Sequence, residues 1–345
     1  MVKTADIVRN ESERPLSESH PRSSRNPRLL FFLPSSLPGL RASVVNICQP
    51  SGSPPLSQLL YSADTPKYSG SNGPMKTANS RYSLVRDRPD PGDYLYPPKS
   101  EHVRKRLPQR VDLRRLCPPV QDQGRLGTCT AHAVAAAVHC EHRLHKKRAV
   151  RPSRLFIYYN ERPIAHEKRL KPTVTVRDAL KVVAKYGACP ESMCPYNEQP
   201  RAVVKKPSPD AYKAAAKHKI AAYYRISHES LSREEFLRHL KSCLADRHPF
   251  VFGFRMHPSF VPPVTDKWEG GMMPIPRKRN DPGHGGHAVM AVGYDDRKQA
   301  VLVRNSWGTD FGIKGYFWMP YSLISDSGFA HDFWTIRGIA GEATK

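Results

Sequence analysis

The stretch from Val120 to Val138 constrains this chain more than any other, because it runs a glycine-punctuated loop straight into an alanine-rich helix. Gln123-Gly124 and Gly127-Thr128 mark a turn. Apolar residues then fall at Ala131, Val134, Ala135 and Val138, the i, i+3, i+4, i+7 spacing of one helix face. That spacing puts Cys129 at a helix N-terminus, where free N–H groups and the positive end of the dipole favour thiolate, the form that attacks a carbonyl. A cysteine in such a helix also reads as a small buried hydrophobe, and the stretch alone does not separate the two readings. Gln123 adds a second piece of chemistry. Six residues upstream and across a glycine turn, its side-chain amide can aim at the same point as the Cys129 backbone N–H, which makes an oxyanion hole.

Two later stretches carry chemistry that matches. The run Gly285-Gly286-His287-Ala288-Val289-Met290-Ala291-Val292-Gly293-Tyr294 sets a histidine immediately before a strand, where the imidazole projects from a fixed backbone and can serve as a base. A histidine there is ordinarily a plain core or surface residue, and His284, in the preceding loop, lacks the strand altogether. Eighteen residues after His287 comes Asn305, in the run Val301-Leu302-Val303-Arg304-Asn305-Ser306-Trp307-Gly308. Asn305 can accept the imidazole N–H and fix its tautomer, while Trp307 shields that bond from water. By itself, Asn-Ser-Trp-Gly would be a turn.

Taken together, these motifs resemble a known family. Gln-Gly-x-x-Gly-x-Cys-x-Ala, from Gln123 to Ala131, is similar to the active-site signature of the papain (C1) family of cysteine peptidases. The histidine decapeptide, Asn-Ser-Trp-Gly and the Gly-x-x-Gly-Tyr-Phe run from Gly312 to Phe317 follow in the family's order. Pro108 to Arg114 resembles the start of a mature enzyme. The resemblance implies an α+β, two-lobed fold over residues 108–340, with a helical lobe, an antiparallel β-barrel-like lobe and the active site in the cleft between them. It implies Cys129, His287, Asn305 and Gln123 as catalytic residues, Trp307 as their support, and Gly285, Gly286 and Gly127 as substrate-binding positions. It further implies polypeptide substrates, a monomer, and no need for a cofactor or metal. Two rival readings keep the fold: an acyltransferase in which an amine resolves the thioester, and a catalytically inactive binding protein with a basic surface.

Departures narrow the resemblance. Leu126 stands where relatives commonly carry a cysteine, and Thr130 where most have tryptophan. Residues 161–174 contain no glycine, although the family usually places there a Gly-Gly strip that pairs with substrate, so docking on that side is expected to differ. The texture is nearer to bacterial-type members with a short pro-segment than to lysosomal cathepsins. Cys129 precedes His287 by 158 residues, and a long loop from Met256 to Gly283 absorbs the excess over the usual spacing.

Composition divides the remainder of the chain. Its 33 prolines concentrate early, and residues 1–74 mix Ser, Pro and Arg without periodicity, as a disordered tail does. That tail reads either as an upstream extension of a chain that starts at Met75, or as a linker or targeting arm. Residues 75–107 then form a pro-segment or an N-terminal strap, whose Tyr94, Leu95 and Tyr96 are expected to fill an apolar subsite of the cleft. No stretch has the length or character of a signal peptide or membrane span, and the seven cysteines lack the family's usual disulfide frame, which points to an intracellular setting. The net charge of +24 lies mostly in the folded part: Lys and Arg exceed Asp and Glu by 13 to 8 over residues 1–100 and by 42 to 23 beyond. Aromatics do not interleave the basic clusters, which argues against a nucleic-acid surface. Strands are expected at Ile220–Ile226 and Phe250–Phe254, and a helix at 233–245 behind a Ser232/Glu235 capping box.

Overall fold

Helix α1 (Cys129–Leu144) is buried almost from end to end, so its alanines matter for their size. They let it pack against the sheet on one side and against helices α2 (Arg154–Ile164) and α3 (Val176–Lys185) on the other. In this computed structural model the described residues are 82, 84–98, 106–145, 150–164, 174–260, 268–276 and 285–340. The tail, the basic clusters at 168–171 and 277–279, His284 and most of 161–174 lie outside them.

Several polar groups buried along α1 have hydrogen-bond partners, as burial demands. Glu141 accepts hydrogen bonds from His248 Nδ1 at 2.8 Å and from the Gly338 backbone N–H at 3.1 Å. His139 Nδ1 meets the Val150 carbonyl at 2.9 Å. Arg154, the last residue of the basic run Arg143 to Arg154, is buried and ion-paired with Glu191, so it belongs to the interior.

Capping fixes where the other helices begin. Thr175 and Asp178 form a capping box on α3, with aspartate doing what glutamate usually does: its carboxylate accepts the Thr175 N–H at 3.0 Å. Ser232 and Glu235 cap α6 (Arg233–Ala245) in the same way. Between them lie two short helices, α4 (Pro200–Val204) and α5 (Pro209–Ala215), each opening on proline at its first position. Helix α7 (Tyr321–Ile324) is a single turn.

The sheet is antiparallel. Strands β2 (Ile220–Arg225), β7 (Ala330–Ile339), β3 (Phe250–Arg255), β4 (Gly286–Asp295), β5 (Ala300–Arg304) and β6 (Tyr316–Pro320) follow one another across it, and β1 (Arg110–Asp112) pairs with β4. β4 is buried along its whole length and carries His287 as its second residue, opposite Phe254 of β3. Helices α1–α3 on one side and this sheet on the other make the α+β papain-like fold. No helix among the described residues is long and apolar enough to cross a membrane.

Candidate active site

The loop before α1 is fixed by the strand end that follows β5. The Gln123 backbone N–H donates to the Ser306 carbonyl at 2.8 Å, Gly308 N–H donates to the Gln121 carbonyl at 3.3 Å, and Asp122 bridges Trp307. The Gln123 side chain is held at both ends: Nε2 donates to the Leu126 carbonyl at 2.8 Å, and Oε1 accepts the Ser306 hydroxyl at 2.6 Å. Gly124 has φ +58°, a left-handed backbone that strains any side chain, and a Cβ there would also displace the Glu198 carboxylate, whose Oε1 would lie 1.8 Å away. Gly127 is buried in the same turn.

His287 Nε2 lies 2.8 Å from Asn305 Oδ1. An amide oxygen only accepts, so Nε2 carries the hydrogen and Nδ1 is the basic nitrogen. Asn305 Oδ1 also accepts the Ser306 N–H at 2.9 Å. The Trp307 ring lies over the imidazole at 4.8 Å between centroids.

Cys129 is the first residue of α1, and the neighbouring Ala288 backbone N–H hydrogen-bonds its sulfur. The loop, the helix start, the head of β4 and the end of β5 therefore bring Gln123, Cys129, His287 and Asn305 to one place. The helix start alone favours thiolate. Here burial outweighs it and pushes the Cys129 thiol up to about 12, opposed by the Ala288 N–H and raised a little further by Glu161. Glu161 is itself fully buried, which pushes its carboxyl well above the usual range, while the Thr130 hydroxyl, 3.0 Å from each carboxyl oxygen, pulls the other way. The residue after Cys129 thus serves an internal carboxyl where an aromatic was expected.

Cys129 and His287 both have 0 % exposure. The Tyr82 ring stands 6.2 Å from those of His287 and Trp307. Leu84 bridges antiparallel to Gly286 and parallel to Val174, and the Val85 N–H donates to the Val174 carbonyl at 3.1 Å. A Cβ on Gly285 would come within 2.7 Å of the Tyr82 carbonyl oxygen, and one on Gly286 within 2.5 Å of that of Leu84. The two glycines expected to meet substrate are met by the chain itself. Leu84 Cδ2 lies against Gly253, where a Cβ would be 2.6 Å from it.

The residues expected to fill the cleft, Tyr94 to Tyr96, are elsewhere. Tyr94 and Leu95 are 73 % and 61 % exposed, while Tyr96 is buried where the segment adds to sheet edge β2: Tyr96 N–H donates to the Arg225 carbonyl and Arg225 N–H to that of Tyr94, both at 2.8 Å. An edge strand offers unpaired backbone groups, and this segment takes them. Asp87 anchors the same segment. Its N–H donates to Asp332 at 2.8 Å and its carboxylate accepts the Trp334 indole N–H at 2.7 Å, while Asp93 pairs with Arg177 and Arg225. Tyr82 and Leu84 escaped sequence reasoning because no motif surrounds them. The signal available was two apolar side chains alternating within a polar stretch.

Comparison with known proteins bears on the family and the fold. Residues 107–334 match the papain family cysteine protease family. An uncharacterised peptidase C1-like protein of Acanthamoeba polyphaga mimivirus is 33% identical over 280 residues, covering 76% of this chain and 88% of that one. Xylellain, a cysteine protease from Xylella fastidiosa, superposes with a TM-score of 0.67 at 41% identity, over 75% of this chain and 97% of its own. Cathepsin K of Gallus gallus is 27% identical over 255 residues, 72% of this chain and 68% of that one. The chain belongs to the papain family of cysteine proteases. It is a hydrolase acting on peptide bonds, nearer in sequence to the bacterial xylellain than to the vertebrate cathepsin.

Proposed function

We propose that the chain hydrolyses polypeptides through a thioester formed on Cys129. The observation that supports this most is the Asn305 bond to His287 Nε2, which commits Nδ1 to exchange a proton with the sulfur. Cys129 attacks the scissile carbonyl, and the oxyanion is received by the Cys129 backbone N–H and the Gln123 amide. His287 then protonates the leaving amine and, as base, activates the water that resolves the thioester. Gly285, Gly286 and Gly127 leave room for substrate backbone, and Trp307 keeps water from the His287–Asn305 bond.

Within the N-terminal segment, the described residues 82 and 84–98 divide this work between a cover and an anchor. Tyr82 and Leu84 lie along the substrate track and keep the nucleophile buried, while Asp87 to Tyr96 hold the segment to α3 and the sheet. A form beginning at Arg86 loses the cover and keeps the anchor. Treated with an epoxide thiol trap near pH 6, it should be modified at Cys129 ahead of its other cysteines, whereas the full chain should react at Cys129 far more slowly. Labelling spread evenly over the thiols would defeat the assignment of the nucleophile, and equal Cys129 rates in the two forms would defeat the cover.

A further inference from the structure

The loop that carries the oxyanion donors is poorly held by its own backbone. Within it, Leu126 N–H reaches the Gln123 carbonyl only at 3.4 Å, and both ends of the turn are glycine. Yet the two donors, six residues apart, must converge on one oxygen atom. An error of an ångström at such a site costs catalysis heavily. Something outside the loop has to set their separation.

Tyr196 is placed to do this. Its phenol hydroxyl donates to the Gln123 carbonyl at 2.7 Å and lies 2.8 Å from Thr128 Oγ1. A phenol has one hydrogen, and Gln123 takes it, so Thr128 is the donor of the second bond. Thr128 is the residue immediately before Cys129, and its backbone carbonyl accepts the His132 N–H at 3.0 Å in the first turn of α1. One hydroxyl therefore spans the turn from the residue bearing the side-chain donor to the residue beside the backbone donor. The ring behind it is fixed on several sides. The Arg154 guanidinium lies 4.4 Å from its centroid, the His132 ring meets it edge-on at 4.9 Å, and the Tyr196 N–H donates to Glu191 at 2.8 Å. Burial raises the phenol above its ordinary range, so it stays a donor wherever the enzyme works.

We propose that Tyr196 is a positioning residue for the oxyanion hole, its hydroxyl setting the separation of the Gln123 amide and the Cys129 N–H. The proposal rests on the reading of those two groups as the oxyanion donors. Tyr196→Phe keeps the ring and removes the strut. In the full-length chain brought to constant activity on a fluorogenic peptide, kcat should fall about tenfold with KM within about twofold of the parent. Affinity for a peptide aldehyde, whose hemithioacetal oxygen occupies the oxyanion hole, should fall by the same factor. Alkylation of Cys129 by chloroacetamide, which makes no oxyanion, should be unchanged. Hydrogen exchange of the intact chain should rise over residues 121–129 alone.

In a Gln123→Ala background the effect of Tyr196→Phe should shrink to less than about threefold, because the donor it places is gone. Parent-like kcat and aldehyde affinity would overturn the proposal. So would alkylation falling in step with kcat, which would mark general damage to the site. An unaltered kcat for Gln123→Ala alone would instead overturn the reading of the oxyanion hole itself.

Discussion

Gln123 is a side chain whose two ends are spoken for, by Leu126 and Ser306, so its amide cannot turn away when a substrate arrives. A donor held in advance pays no reorganisation at the moment of reaction, which is where such donors gain their effect. Replacing Gln123 by alanine is expected to lower kcat by about 10²- to 10³-fold with little change in KM. Assay of the variant on a small peptide checks this, and an equal loss in KM would mean that Gln123 binds substrate without favouring the transition state. Cys129 shows the opposite balance of forces. The helix start was legible in the sequence, from the glycines and the alanine spacing, and so was the preference of that position for thiolate. The burial that reverses the preference comes from the packing of the assembled fold around the helix start, and no local pattern announces it.

At the scale of elements, the anchoring segment joins the fold through buried charge. Burial first, and Asp332 second, raise the Asp87 carboxyl to about 6, against the hydrogen bonds from Thr175 and Trp334 and the field of Arg177. A carboxyl whose docked value lies above its free value of 3.8 favours docking in its protonated form. The anchor is therefore at full strength below the free value and weakens as pH rises through about 6. Asp87→Asn, which cannot ionise, should match the parent in Tm at about pH 4 and exceed it at about pH 7.5, by up to roughly 3 kcal/mol in stability. A pH-independent difference in Tm between the two would show that Asp87 does not titrate in this range.

The regular elements were more legible than this join. The Ser232/Glu235 capping box, α6, β2, β3 and the placement of His287 at the head of β4 follow from patterns a few residues long. The pairing of Tyr94–Tyr96 with β2 does not, since an exposed Tyr94 and a buried Tyr96 have the same alternating signature in a cleft as on a sheet edge. The short helices α4 and α5 carry no apolar repeat long enough to announce them, and each begins on a proline that stands at the first helical position.

For the whole molecule, the four positions proposed as catalytic come from three stretches of the chain, around 123–129, 287 and 305, that only the assembled fold brings together, and in the proposed reading the track beside them is covered by Tyr82 and Leu84. A form beginning at Arg86 should show a rise of at least about tenfold in kcat/KM on a small peptide, with Tm within a few degrees of the full chain, since its anchor is intact. Equal kinetics with a large fall in Tm would make Tyr82 and Leu84 purely structural. The proposed cover and the cleft belong to one polypeptide, which fixes the reaction order expected of their encounter. A separate inhibitor leaves on dilution, but a tethered one meets its site at an effective concentration of about millimolar however thin the solution. The activity per mole of intact chain should therefore stay flat across a dilution of about a hundredfold, and a competing peptide should open the cleft only near millimolar levels. Specific activity that climbs on dilution would mean that the occupant of one molecule's cleft comes from another.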